Sequence, residues 1–204
     1  MHKLLLLGLA LLFSTIPTFA QDSISEKTKE MEKYDGYFPF HWDADEGKIY
    51  LEVNKLDTEF LCYTTLAAGA GSNDIGLDRG RLGSPKVVEF RRVGNKVLLV
   101  EPNQYYRAVS EDENEQRAVA ESFAESVIYG FKVSAEEDGK VLIDLTEFAL
   151  SDIYGISGMI KRTKQGTFKV NNSRSAVYLP RTKNFPKNTE IETTLTFTGQ
   201  DAGA

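Results

Sequence analysis

The chain has 204 residues and a formal net charge of −6, with 41% hydrophobic and 26% charged residues. These proportions are close to those of ordinary globular proteins, so they argue against wholesale disorder. The acidic balance contains no basic stripe and therefore argues against a nucleic-acid partner, because phosphate recognition requires clustered lysines and arginines.

The first 20 residues have the pattern of a secretory signal peptide. Lys3 supplies a short basic region, and LLLLGLALLF is an apolar stretch too short for a stable bilayer anchor. Thr18 and Ala20 stand at the −3 and −1 positions of a cleavage site before Gln21. A membrane anchor is the alternative, but no stop-transfer pattern follows. We expect an exported protein without a stable membrane span after cleavage, located in the periplasm, on the outer surface or in the medium.

The rest of the chain is predicted to hold one domain. Residues 21–36 are polar and lack an apolar stripe, so they are predicted to form a flexible lead-in. A single mainly-β domain is predicted over 37–199, followed by a truncated tail at 200–204. The only cysteine, Cys62, excludes an internal disulfide and is expected to be a small buried side chain.

Strand patterns dominate the predicted domain. Alternation of apolar and polar residues predicts strands in GKIYLEV, EFLCYTT, KVVEFRRV and KVLLVEP. Gly94-Asn95 and Asp138-Gly139 are two-residue turn signals between strands. NTEIETTLTFTG, near the C-terminus, is rich in threonine and also predicts a strand.

Two helices are predicted within this pattern. Ser110 and Glu113 have the spacing of a capping box, and the acidic residues around them favour a helix N-terminus. One apolar face follows at helical spacing, made of Val119, Ala120, Phe123, Ala124 and Val127. TEFALSDIYGISGMIKR predicts a weaker second helix because it contains two glycines. The predicted fold class is α+β: a mainly antiparallel β-sheet built from hairpins, with one or two helices packed on it.

Catalytic motifs are missing from the sequence. The only histidines are His2, which leaves with the signal peptide, and His41, so no histidine-based zinc site can be assembled. No G-x-S-x-G elbow is present, which argues against a serine nucleophile. His41 lies between Phe40 and Trp42 and is predicted to pack in an aromatic cluster. The sequence therefore assigns no catalytic residue, metal site or cofactor to this chain.

The stretch GAGSNDIGLDRG, residues 69–80, is the most distinctive loop. Its glycine spacing fits neither a dinucleotide loop nor a P-loop. The oxygens of Asn73, Asp74 and Asp78 suit calcium, although the spacing is not that of an EF-hand. The favoured interpretation is a long connection between strands in which Asp74, Asp78 and Arg79 hold the loop through bonds to the backbone and an ion pair. The calcium interpretation stays as the alternative.

Five segments carry a resemblance to a known family. They are GYFPFHWDADEGKIYLEV, GAGSNDIGLDRG, KVLLVEPNQYYRA, AVAESFAESVIYGF and SRSAVYLPRTKNFPKNTEIETTLTFTG, and they run in order over about Tyr37 to Gly199. Together they resemble a domain of unknown function near the N-terminus of large exported bacterial proteins of the zinc-dependent, metzincin-like metalloprotease type. The resemblance implies a fragment that lacks the downstream peptidase domain, which would carry the zinc and be the partner of this domain. The family's zinc-binding positions are not present in this chain.

Two functions follow as hypotheses. The first is a noncatalytic accessory domain of the metalloprotease-like parent, which predicts an exposed apolar patch where the peptidase domain docks. The alternative is a free-standing exported module that binds peptide or glycan. In that case Phe38, Phe40, Trp42 and Tyr50 would form an aromatic platform at the surface.

Overall fold

β-Strands make up most of the regular structure in this protein. The computed structural model describes residues 22–69 and 75–201, and the predicted signal peptide lies outside these residues. The helices are α1 (Ile24–Lys27), α2 (Glu113–Ser122), α3 (Thr146–Ala149) and α4 (Ile156–Arg162). The strands are β1 (Glu32–Tyr34), β2 (Phe40–Asp43), β3 (Lys48–Val53), β4 (Phe60–Cys62), β5 (Lys86–Val93), β6 (Lys96–Glu101), β7 (Ser126–Glu137), β8 (Lys140–Asp144), β9 (Gly166–Val170), β10 (Ala176–Val177), β11 (Lys183–Phe185), β12 (Asn188–Glu190), β13 (Thr193–Thr194) and β14 (Phe197–Asp201).

Eight of these strands form one curled antiparallel sheet in the order β1-β2-β3-β8-β7-β6-β5-β4. The β-rich α+β class predicted from the sequence is confirmed. β7 and β8 meet at Asp138 and Gly139, which both have positive φ angles (50° and 76°) of the kind that a tight turn between strands requires. β3 pairs with β8 although they are distant in the chain, and β4 pairs with β5 at the far end. Strands from before residue 69 therefore flank, on both sides, strands from after residue 80.

One face of the sheet holds the main hydrophobic core. Alternation along β3 sends Ile49, Leu51 and Val53 into this core and turns Tyr50 and Glu52 to the opposite face, which we call the outer face. The buried members of the main core are Phe38, Phe40, Ile49, Leu51, Val53, Val88, Phe90, Val97, Leu99, Phe131, Val133, Val141, Ile143 and Leu145.

The segment predicted as a flexible lead-in is folded onto the outer face. Ile24 of α1 is buried there against Tyr50, Ala135 and Leu142, and β1 pairs with β2 at the edge of the sheet. The backbone N–H and the hydroxyl of Ser25 both donate to the Glu137 carboxylate. This segment has too few apolar residues for a periodic signal, so only tertiary packing reveals its structure.

The helices and the last strand differ in detail from the prediction. The predicted second helix is split into α3 and α4, because Gly155 has a φ of 84° and the Asp152 carboxylate accepts from the N–H groups at the start of α4. The predicted C-terminal strand is divided into β12, β13 and β14, and β14 pairs with β9 instead of joining the large sheet. In the described part of the chain, no helix is long and apolar enough to cross a membrane.

The sheet order generates a first prediction. A chain that begins at residue 80 lacks β1 to β4 and with them the core side chains of Phe38, Phe40, Ile49, Leu51 and Val53. Each such side chain contributes about 1.5–3 kcal/mol on burial, so the loss is comparable with the typical free energy of unfolding of a whole domain, about 5–15 kcal/mol. Residues 80–204 alone should show no near-UV circular dichroism and no cooperative thermal transition, and adding residues 22–69 should restore both. A cooperative transition of residues 80–204 alone would contradict the prediction.

Candidate functional site

The glycine-rich loop is held by an apolar side chain. Leu77 is fully buried and packs with Leu66 and Ile156 in a small second core beneath α4. The N–H of Gly80 donates to the carbonyl of Leu66 over 2.7 Å, which closes the base of the loop. This contribution was missed from the sequence, where Leu77 and Ile75 stood as isolated apolar residues among glycines and aspartates.

Of the four polar residues predicted at this loop, the structure describes Asp78 and Arg79. Asn73 and Asp74 lie outside the described residues. The Asp78 carboxylate lies 3.9 Å from the guanidinium of Arg81, not Arg79, and both side chains of this ion pair are about half exposed. Arg79 is exposed. In the described residues, no group of three or more His, Cys, Asp or Glu side chains is arranged to hold a metal ion.

The four aromatic residues predicted to form a surface platform are not together at the surface. Phe38 and Phe40 are buried in the main core, where the Phe38 ring contacts Phe60 and Phe90 edge-on. Trp42 is half-buried against the same core, and Tyr50 is buried on the outer face. The platform prediction is therefore wrong. Phe38 and Phe40 are buried, and Tyr50 lies on the opposite face of the sheet because it pairs with His41 in the register of β2 with β3.

The connection between β6 and β7, residues 102–125, forms a projecting arm that contains α2. Asp112 caps α2 by accepting from the N–H of Asn114, and Ser110 accepts from the N–H of Asp112. No residue of α2 is buried, so the prediction that this helix packs on the sheet is wrong. Only Val119 and Ala120 of the predicted apolar face lie within α2, because the helix ends at Ser122 and Val127 belongs to β7. Two small side chains are too few to hold α2 on the sheet.

Large apolar side chains of the arm face solvent. Tyr105 is 94% exposed and Val109 is 100% exposed. Tyr106, near the start of the arm, stacks on Phe123, near its end, with ring centroids 3.8 Å apart. This contact holds the two ends of the arm together. The arm is tied to the sheet through Glu125, whose carboxylate accepts from Arg91 of β5 and whose pKa is lowered by that hydrogen bond.

Two large apolar side chains of the outer face near the arm are exposed. Phe60 and Val88 are directly opposite each other in the main core, so the next pair, Leu61 and Val87, points to the outer face. Leu61 is 62% exposed, and Val127 at the start of β7 is exposed as well. Arg91 of β5 ties the arm to this region through its pair with Glu125. The end of the arm is therefore held beside β5.

The other half of the outer face contains a polar pocket of about 330 Å³ beneath the N-terminal segment. At its base His41 and Glu52 form a pair in which Nε2 lies 2.6 Å from Oε1, and both side chains are almost completely buried. The Lys33 ammonium lies 3.7 Å from the same Glu52 oxygen. Lys140 and Glu137 line the pocket from the paired ends of β8 and β7.

His41 was predicted to pack among aromatic rings, and that prediction is wrong. Alternation in β2 sends Phe40 and Trp42 to the core and His41 to the pocket. A pairing such as His41 with Glu52 is recognisable in a sequence only when the strand register is known.

The charged groups of the pocket stabilise one another. The hydrogen bond from His41 lowers the pKa of the Glu52 carboxyl, with a smaller contribution from Lys33 and against the effect of burial. Glu52 is therefore ionised at neutral pH. Elsewhere, burial raises the pKa of the Cys62 thiol, which is half-buried against the main core and so remains protonated.

Comparison with known protein families gives two matches. The model described as Domain of unknown function (DUF5117) matches residues 80–204, which is more than half of the chain. The chain belongs to the DUF5117 family. A second model, Domain of unknown function (DUF5118), matches residues 21–69. No curated protein and no solved structure matches the chain.

The DUF5117 and DUF5118 segments are interleaved in one sheet. β1 to β4 lie in the DUF5118 segment, and β5 to β8 lie in the DUF5117 segment. Pairing of β3 with β8 and of β4 with β5 joins the segments on both sides. The pocket also spans them, because His41 and Glu52 come from the first segment and Glu137 and Lys140 from the second.

The buried Leu77 gives a test of how the glycine-rich loop is held. Leu77→Ala should lower the free energy of unfolding by about 2–5 kcal/mol, because it removes a fully buried side chain and leaves a cavity. Arg79→Ala should change it by less than about 0.5 kcal/mol, because Arg79 is exposed. Urea unfolding of the two variants measures both values. A larger effect for Arg79→Ala than for Leu77→Ala would restore the polar pinning model.

The lowered pKa of Glu52 predicts the pH dependence of stability. A carboxyl whose pKa is lower in the folded state stabilises the fold above its unfolded pKa, about 4.3 for Glu, and loses that contribution as pH falls through the folded value. Glu52→Gln should therefore lower the free energy of unfolding by about 1–3 kcal/mol at neutral pH, and the difference from wild type should shrink below about pH 4.3. Denaturant unfolding at several pH values measures this difference. Glu46→Gln is the matched control because Glu46 is exposed. A difference that does not depend on pH would contradict the role of the ionised pair.

Proposed function

We propose that this chain is a noncatalytic accessory domain of an exported polypeptide that also carries a zinc-dependent peptidase domain. In this proposal the projecting arm, residues 102–125, docks on the peptidase domain. The zinc ion and the catalytic residues belong to that domain. The observation that carries the docking role is the arm itself, whose Tyr105 and Val109 are almost fully exposed. The identity of the partner rests on the five sequence segments that resemble metalloprotease-like proteins.

The arm has the properties of a docking element. A surface helix usually packs its apolar side chains against the core of its own domain, but no residue of α2 is buried. On the sheet, Leu61 and Val127 are exposed as well. Contiguous exposed apolar patches on soluble proteins mark interaction sites. The stack of Tyr106 on Phe123 holds the arm in shape, which lowers the entropy lost on binding.

The negative charge of the arm indicates which charges a complementary partner surface would carry. The arm, residues 102–125, contains two arginines and six carboxylates, for a formal net charge of −4. A matching partner surface therefore has an apolar centre for Tyr105 and Val109 and a rim of lysines or arginines for the carboxylates of α2. Such complementarity raises the association rate more than the final affinity.

The proposal is tested first on the coding sequence and then on binding. Reading the DNA downstream of the Ala204 codon should give an open frame that encodes an H-E-x-x-H helix. A stop codon at that point would contradict the proposal. The peptidase domain encoded there, purified separately, should bind this chain in isothermal titration calorimetry.

The double variant Tyr105→Ser, Val109→Ser should weaken this binding by tenfold or more, which corresponds to about 1.4 kcal/mol or more. The matched control is Tyr178→Ser, because Tyr178 is also an exposed ring but lies far along the chain from the arm. Salt should reduce the association rate of the wild type. Equal loss of binding in the control and in the double variant would contradict docking through the arm.

A further inference from the structure

The large sheet ends in β4, which is the last strand in the strand order and pairs with β5. The same pairing continues beyond β4, where the N–H of Gly83 donates to the carbonyl of Thr64 over 2.7 Å. The N–H of Leu66 donates to the carbonyl of Arg81 over 3.1 Å. The chain therefore follows this edge of the sheet from β4 as far as Leu66.

Every second residue along this edge turns its backbone groups away from the sheet. N–H and C=O groups alternate in direction along a strand, and Thr64 and Leu66 direct theirs to the neighbouring chain. The groups of Leu61, Tyr63 and Thr65 therefore point outward, and we call these three residues the edge triad. Within residues 22–69 and 75–201, the backbone of Tyr63 and of Thr65 has no hydrogen bond. The edge triad thus offers both donors and acceptors to another strand.

This edge lacks the features that usually keep edge strands from pairing with other chains. Natural edge strands are commonly protected by charged side chains, by prolines or by a covering element. Residues 60–69 contain no charged residue and no proline. Tyr63 is 52% exposed, so its side chain is not covered. By contrast, β1 at the opposite edge of the sheet carries Glu32 and Lys33. The edge at β4 is therefore open to another strand.

We propose that two copies of this chain pair through their edge triads, with the two segments antiparallel and a two-fold axis at Tyr63. In this pairing Tyr63 of each copy stands opposite Tyr63 of the other, and Leu61 stands opposite Thr65. Each pair of residues exchanges two backbone hydrogen bonds, and the two large sheets join into one continuous sheet. This inference does not depend on the proposed function, because it uses no residue of the arm.

The absence of charge is what favours a second copy as the partner. On a two-fold axis each surface meets its own copy, so a charged residue near the axis would meet the same charge. The chain has a formal net charge of −6, yet residues 60–69 are neutral. The nearest carboxylate in the sequence, Glu59, stands opposite the neutral Ala67 of the second copy in this register. The segment can therefore pair with itself without like-charge repulsion.

Apolar side chains reinforce this pairing. Leu61 and Tyr63 lie on the outer face, because Cys62 between them packs against the main core. Leu82 stands opposite Thr65 and is 64% exposed. Pairing of two copies brings the side chains of this strip together across the axis. Aromatic residues that stand opposite each other on neighbouring strands stabilise the strand pair.

Sedimentation equilibrium measures this self-association on the chain without its predicted signal peptide, residues 21–204. A strand pair of this kind buries a small area, so we expect a dissociation constant of roughly 1–100 μM. The mass should approach twice that of one copy at high protein concentration and should not rise further, because the pairing uses the edge of both copies. A single copy at all concentrations up to about 500 μM, or growth beyond two copies, would overturn the proposal.

Charged side chains at position 63 test the two-fold axis. Tyr63→Lys and Tyr63→Glu should each weaken self-association by tenfold or more, because like charges then meet across the axis. An equal mixture of the two variants should form the dimer again, since opposite charges meet. Both variants should keep the cooperative thermal transition of the wild type, because Tyr63 is exposed.

The matched control is Tyr178→Lys, since Tyr178 is also an exposed tyrosine and lies outside the edge segment. This variant should associate like the wild type. Unchanged association of Tyr63→Lys or of Tyr63→Glu alone would overturn the pairing of the edge triads. The same conclusion would follow from a mixture that stays monomeric or from an equal loss of association in the control.

Discussion

The pairing of β3 with β8 is the contact on which the rest of the structure depends. In its register Leu51 stands opposite Ile143 in the main core, and Glu52 stands opposite Leu142 on the outer face. Because side chains alternate along a strand, a slip by one residue would turn the charged Glu52 into the core, where an unpaired charge is very costly. The neighbouring pairing of β2 with β3 places Glu52 against His41. The pairing of β3 with β8 therefore determines which side chains of β3 enter the core and which face the polar pocket.

This pairing also joins the segments matched by the two family models into one sheet. The DUF5118 segment supplies strands at both ends of the sheet, and the DUF5117 segment supplies the strands between them. The arm and the polar pocket lie at opposite ends of β7. The arm joins the strand at Ser126, and Glu137 at the other end lines the pocket. At about 3.3 Å per residue these ends are separated by roughly 35 Å along the strand.

Local patterns in the sequence predicted the β-rich class, but they could not predict which side chains would meet. Alternation in FHWD shows that His41 and Phe40 face opposite sides, yet it does not show which side is the core. The helix signal at Ser110 and Glu113 located α2 to within a few residues, since capping is a local interaction. It could not show that α2 remains uncovered, because packing depends on the surface available elsewhere. The same limit applied to Ile24, whose burial depends on residues of β3 and β8 that are distant in the chain.

Native-state hydrogen exchange is the most direct test of the central role of the β3–β8 pairing. The amides of Leu51 in β3 and Ile143 in β8 lie on the two sides of this pairing, and that of Val88 lies in β5 next to β4. If the interleaved strands form one cooperative unit, all three amides should exchange only through global unfolding, with the same opening free energy and the same denaturant dependence. If the amides of β1 to β3 exchange through a separate opening of lower free energy, while those of β5 to β8 remain protected, the two segments fold independently and the account is contradicted.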